Sequence, residues 1–250
     1  MSWALRFHGV GNASAVELGS PMATIERDDA PWLTIDCGGE GLTALLAEYG
    51  APPRALFVTH THLDHVAGFE RLFVSEYFDA ARRGRMPVYV PAPLVPLLHR
   101  RIGDYPNVLA EGGANFWEAF RLIPVGDAFW HDGVRLEVFP VRHHWPDTAF
   151  GLRLPGSLVW SGDTRPIPEM LARHADRDEL VAHDCALHGN PSHSGIDDLE
   201  REYPADLLAR CVLYHHASRA DARALRARGH RVADAGEVLA LADPAAEAMA

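Results

Sequence analysis

Apolar and polar residues alternate in "WALRFHGV" near the start of the chain, the period of a half-buried strand. "MATIERDDAPWLTIDCGG" carries that alternation to both sides of a turn at 28–31 and predicts a hairpin. The period then lengthens: "GLTALLAEYG" sets apolar residues at helical spacing, closes on Gly50, and is cut by "APP" from the strand "RALFVTH". A helix is expected through "GFERLFVSEYFDAARRG", then a strand "PVYVP", a helix "PLVPLLHRRIG" opening on proline, and an irregular stretch over 105–114. "FRLIPV", "VRLEVFPV", "AFGLRLP" and "SLVWSGD" read as strands, ahead of mixed segments that end in a helical "SRADARALRARGH". The order is mixed α/β, β-rich early in each half, without repeat or linker. The whole chain, 1–250, therefore reads as one domain of two similar lobes, with a frayed alanine-rich tail.

Composition narrows the function. The longest apolar runs are strand-sized, so no membrane span is expected, and the N-terminus lacks the pattern of a secretory signal. Three widely spaced cysteines, Cys37, Cys185 and Cys211, argue against a disulfide framework and for buried, reduced thiols. A cytoplasmic location is the default. The formal charge of −11 disfavours a nucleic-acid partner. Fifteen histidines are the feature that composition alone leaves unexplained.

Several of them crowd into "VTHTHLDHVAGFERL", directly after an apolar run. His60, His62, Asp64 and His65 are imidazole and carboxylate donors suited to zinc or a similar divalent ion. Four protein ligands on one ion would leave no position for water or substrate. Division between two ions leaves each incomplete and predicts further ligands downstream. In an extended segment His60 and His62 share a face, whereas Asp64 and His65, past the turn, address another. Gly68 then permits a close turn into the next helix.

On this HxHxDH motif the chain resembles the metallo-β-lactamase fold superfamily, most closely its ribonuclease Z-like and phosphodiesterase branch. The resemblance implies a four-layer αββα sandwich with a two-metal site at one edge. It points to "FPVRHHWPDTAFGLRL" for His143, with His144 as the alternative. It points to "LVWSGDTRP" for Asp163 as a carboxylate bridging both ions, and to "RCVLYHHAS" for His215, with His216 as the competitor. The glycine-rich opening and "DCG" strand end are similar to that branch as well, and Asp36 is a candidate support behind the ligands. "GVG" is assigned to turn geometry rather than to nucleotide binding.

The mechanism so implied is hydrolysis by a hydroxide bridging two divalent ions, zinc first, manganese or iron next, with Asp64 and Asp163 balancing charge and orienting water. In "VAHDCALHGNPSHSGIDDL", Asp184 and His193 look like the acid and histidine pair of ribonuclease Z-like enzymes, with Asp where Glu is expected. His193 is the candidate proton donor, His183 and His188 are read as surface residues, and Cys185 as buried beside the site.

The expected substrate is a small phosphodiester or cyclic phosphate. The segment from His143 to Asp163 is too short for the long tRNA-gripping arm of ribonuclease Z members, so nucleic acid is disfavoured. Phe69, Phe73, Tyr77 and Phe78 recur at helical spacing and read as a packed core face. Rival readings are an ester, thioester, lactone or β-lactam hydrolase on the same site, an iron-dependent oxidoreductase, and a non-catalytic metal-binding protein. Oligomeric state is open, a homodimer included.

Overall fold

The computed structural model describes residues 1–104, 109–110, 112–176 and 178–245. The hairpin and the strands after it build a seven-stranded sheet. Its members are β1 (Trp3–Gly9), β2 (Met22–Arg27), β3 (Ala30–Ile35), β4 (Leu56–Phe57), β5 (Pro87–Pro91) and β6 (Arg121–Val125), with the last strand of the chain on the far side of β1. The second sheet, also seven-stranded, runs from β7 (Ala128–His131) through β8 (Val134–Pro140), β9 (Phe150–Leu154), β10 (Leu158–Trp160), β11 (Leu180–Asp184) and β12 (Cys211–Tyr214) to β13 (Arg231–Val232). β14 (Val238–Leu241) returns to pair antiparallel with β1. Each sheet has a parallel half, β3 to β6 and β10 to β13, and an antiparallel half.

The parallel strands are apolar on both faces because both faces are covered. Trp160, Val212 and Tyr214 join the core shared with the first sheet, where Phe7 meets Trp160 at 5.8 Å. Val159, Val181 and Leu213, one residue out of phase, join a separate cluster under the outer helices. Those helices are α5 (Pro168–His174), α6 (Ile196–Glu202), α7 (Ala205–Leu208) and α8 (Arg219–Ala227), following α1 (Gly39–Tyr49), α2 (Leu63–Val66), α3 (Phe69–Tyr77) and α4 (Val95–Leu98) of the first half. The result is the expected αββα sandwich.

Details depart from expectation. β7, β13 and β14 were not legible, being two to four residues long. The helix expected over 68–84 ends at Tyr77 and gives way to turns. Phe69 and Phe73 are buried as a core face requires, but Phe78 lies past the helix end and is 52% exposed. The expected helix over 93–103 forms with changing pitch, α4 passing into a π-helical turn at His99–Gly103. The irregular stretch over 105–114 and the tail lie partly outside the described residues.

Candidate metal centre

Most of the site residues found in the sequence lie at or just beyond the carboxyl end of a strand, whereas Asp64 and His65 sit on α2 and His193 on a later loop. Asp36 follows β3, His60 follows β4, His143 follows β8, Asp163 follows β10, Asp184 ends β11 and His215 follows β12. Carboxyl ends of parallel strands are where open α/β sheets place ligands. The sheets are tied together at this edge, with the Phe150 amide donating to the Thr59 carbonyl (2.9 Å) and the His215 amide to that of Val10 (2.7 Å).

Two positions there take left-handed backbone, Asp36 at φ 63° and His215 at φ 70°. Such geometry costs a non-glycine residue about 1–2 kcal/mol, least for Asp, Asn and His, and clusters at functional sites. At Gly68 the constraint is space: a Cβ would meet the Cys37 carbonyl oxygen at 2.8 Å. The glycine therefore lets the loop after "HTHLDH" lie against the "DCG" strand end.

The side chains converge on Asp163. Its Oδ2 lies 3.2 Å from His215 Nε2, 3.3 Å from His65 Nε2, 3.6 Å from His60 Nε2 and 3.9 Å from His143 Nε2. Two sets of potential ligand atoms share it, His60, His62 and His143 in one, Asp64, His65 and His215 in the other, each with all its atoms within 4.8 Å of one another. Within the motif, His60 and His62 fall in one set and Asp64 and His65 in the other.

A third such set, Asp163, Asp184, His193 and His215, overlaps the second. The carboxylate of Asp184 is occupied otherwise. Oδ2 accepts from the Thr164 amide (2.8 Å) and faces His193 Nδ1 (2.8 Å), while Oδ1 lies 3.3 Å from His215 Nδ1 without hydrogen-bond geometry. Asp184 therefore orients His193, and its second oxygen lies buried beside His215 without a hydrogen bond.

The adjacent histidines separate. His143 is buried, and its Nδ1–H donates to the Ser192 carbonyl (2.9 Å), which leaves Nε2 facing His62 Nδ1 (3.2 Å) and Asp163 (3.9 Å). His144 is exposed and meets the site at its rim, with Nε2 3.1 Å from His62 Nε2 and its ring 4.0 Å from that of His143. His216 turns from the cluster into a cavity beside α8. His183, read as a surface residue, is fully buried behind Asp184, held by the Tyr203 hydroxyl (2.7 Å) and the Asp184 carbonyl (2.7 Å). Its strand is covered on both faces, which a run of mixed polarity did not reveal. His188 is exposed and Cys185 is buried.

Behind the ligand set stands Asp36, with no exposed surface. Its Oδ1 accepts from the Thr59 amide (2.8 Å), and Oδ2 from the Thr59 hydroxyl (2.7 Å) and His65 Nδ1 (2.7 Å). That holds Nδ1–H of His65 on Asp36 and turns Nε2 toward Asp163.

Electrostatics separate the imidazoles. Burial holds His60 well below its ordinary pKa and His143 at about 4, so both are neutral donors at pH 7. For His215 burial acts the same way, but Asp163 and Asp184 outweigh it and push the pKa up to about 10; Asp163 and Asp36 likewise outweigh burial at His65. Burial would raise the pKa of Asp163, and His215, His65 and His60 override it, keeping the carboxyl ionised. A dication among these atoms competes with the protons on His65 and His215.

The residues fit such an ion. Nε2 of His60, His65 and His215 and both oxygens of Asp163 are buried without hydrogen-bond partners. Buried polar atoms are rarely left unpaired, and a divalent cation among these five would satisfy them. A cavity of about 530 Å³ opens from His60 and His62 and extends toward Arg101 and Trp145. Among the described residues, no helix is long and apolar enough to cross a membrane.

Known proteins resemble this chain in sequence and in fold. Residues 3–239 match the family described as Anti-Pycsar protein Apyc1. The Anti-Pycsar protein Apyc1 of Saccharibacillus brassicae is 31% identical over 226 residues, which span 85% of this chain and 89% of that one. Ribonuclease Z of Deinococcus radiodurans is 26% identical over 239 residues, spanning 78% of this chain and 69% of that one. Among solved structures, the metallo-beta-lactamase fold protein YhfI from Bacillus subtilis aligns with a TM-score of 0.75 at 14% identity, over 96% of this chain and 100% of its own. Fold and sequence agree, and the chain belongs to the Anti-Pycsar protein Apyc1 family, built on the metallo-β-lactamase fold.

Proposed function

We propose that the chain is a metal-dependent hydrolase that cleaves a small phosphodiester or cyclic phosphate at a two-ion centre. His60, His62 and His143 would hold one ion and Asp64, His65 and His215 the other, with Asp163 within reach of both sets. The observation that carries this reading is the convergence of unpartnered buried nitrogens on the unpartnered carboxylate of Asp163. Imidazole with carboxylate suits zinc first, then manganese or iron. When bound, the ions supply Lewis acidity toward water and toward the phosphoryl oxygens.

The protein supplies position and protons. Asp64, the ligand carboxylate with side-chain exposure of 12%, is placed to accept a hydrogen bond from the attacking water. Its pKa stays low because His215 and His65 outweigh its burial. His193, with Nδ1 held by Asp184, keeps Nε2 for delivery of a proton to the leaving oxygen. That donor favours a phosphodiester over an activated ester, which needs none.

Between His143 and Asp163 the chain forms only a loop, β9, a tight turn and β10, with no inserted arm. Such a site suits a small substrate, as the acidic balance does. The buried, unpaired cysteines suit a reducing cytoplasm. The test is elemental analysis of purified protein alongside assays on phosphodiester and carboxylic ester panels. Two divalent equivalents and diesterase activity, both removed in Asp163→Ala, are expected; ester hydrolysis alone overturns the choice of bond.

A further inference from the structure

Trp145 is 81% exposed, the highest exposure of any large apolar side chain among the described residues. A bare indole gives up the apolar burial that keeps most tryptophans at least partly covered, so its placement calls for a reason. It stands one residue beyond His144 and lines the cavity that opens from His60 and His62. Its backbone is tethered: the Trp145 carbonyl accepts from the Thr148 hydroxyl (2.6 Å), and Asp147 makes the turn at φ 59°. Pro146 further restricts the backbone of Trp145. The backbone that carries the ring is thus held, and the side chain has only two rotatable bonds to order on binding.

Arg101 lines the same cavity from the π-helical turn, a conformation found often at functional sites. Among the described residues it pairs with no carboxylate, whereas Arg142, Arg153 and Arg228 all do. An unpaired guanidinium in a chain of net charge −11 is free to take an anionic oxygen. The cavity, at about 530 Å³, has the size of a small-molecule site.

We propose that Trp145 and Arg101 are the specificity-determining residues of this site: Trp145 stacks a planar ring carried by the part of the phosphodiester that does not react, and Arg101 holds one of its anionic oxygens. The inference rests on the hydrolytic reading above and deepens it, since it selects ring-bearing phosphodiesters over ring-free ones of the same reacting group.

The test pairs a nucleoside cyclic phosphate with the base-free ribose cyclic phosphate. In Trp145→Ala the KM for the base-bearing substrate should rise about tenfold relative to the base-free one, the size of one base-aromatic stacking contact. Trp145→Phe should restore most of it, and metal content should match wild type. Arg101→Ala should raise KM on both substrates. An unchanged KM ratio in Trp145→Ala overturns the stacking role, and an Arg101→Ala enzyme with wild-type KM on both overturns the anion role.

Should wild type turn over neither compound, the hydrolytic reading fails, and calorimetric titration judges the stacking alone with nucleoside monophosphate against ribose phosphate. Preference for the base-bearing compound in wild type, lost in Trp145→Ala, upholds stacking. Equal affinity for the two sinks it.

Discussion

His193 Nδ1 lies 2.8 Å from Asp184 Oδ2, on a carboxylate whose other oxygen is 3.3 Å from His215 Nδ1. One buried anion therefore holds the candidate proton donor and lies against a candidate metal ligand. The two roles separate by leaving group. His193→Ala should slow a diester with a poor alkoxide leaving group by about 10²–10³ in kcat, the usual contribution of a positioned general acid. A nitrophenyl ester, whose leaving group needs no proton, should slow by less than about tenfold. Metal content, measured by elemental analysis, should match wild type. An equal loss on both substrates would show that His193 does something other than donate a proton.

The doubled histidines give a second test, because the neighbours differ in burial and direction. His143→Ala and His215→Ala should each reduce bound metal to about half or less, since each removes a donor facing Asp163. His144→Ala and His216→Ala should keep their metal, the former exposed and the latter turned toward a separate cavity. Metal-to-protein ratios after gel filtration decide it. A His144→Ala protein as depleted as His143→Ala would move the ligand role by one residue.

The "HTHLDH" cluster was legible because its donors are neighbours in sequence and because strand alternation divides them. Asp163 and the late histidines were found through the family resemblance, at the ends of apolar strands. What the sequence hid was direction at those strand ends. At His215 the backbone turns left-handed, so the alternation that sorts side chains within a strand no longer tells His215 from His216. His183 was misplaced for a related reason: a histidine in a strand covered on both faces has no exposed side, and its polarity is met by Tyr203. β14 was missed because four residues carry too little period to read, although their pairing with β1 closes the first sheet.

Asp36 offers a test of support from behind the ligands. It meets His65 Nδ1 at 2.7 Å, and its left-handed backbone suits asparagine as well as aspartate. Asp36→Asn should therefore fold, yet the amide presents less negative charge to His65 and weakens that imidazole as a donor. Metal affinity should fall by about 10–100-fold, the usual cost of losing such a partner. Competition with a chelator of known affinity measures it, with thermal melting as the check on folding. An unchanged affinity would confine Asp36 to shaping the backbone.

Stability toward acid should carry the signature of His8, far in role from the metal centre. Its ring is buried between strands, with Nε2 2.8 Å from the Thr24 hydroxyl, which in turn meets the Thr34 hydroxyl at 2.9 Å. Burial, with the Arg6 charge adding and Glu26 opposing, pushes its pKa down to about 4. In the unfolded chain the value returns to about 6.5, so between the two the unfolded state binds more protons and stability rises with pH. The contribution is therefore complete above about pH 6.5 and lost as the pH falls toward 4, at most about 3 kcal/mol. That is a sizeable share of the roughly 5–15 kcal/mol of a typical domain. His8→Gln keeps a hydrogen-bonding group but cannot titrate. Denaturant unfolding of both proteins at pH 7, 5.5 and 4 should show wild type losing about 2–3 kcal/mol more than the variant over that range. Parallel losses in the two proteins would assign the acid limb to other groups.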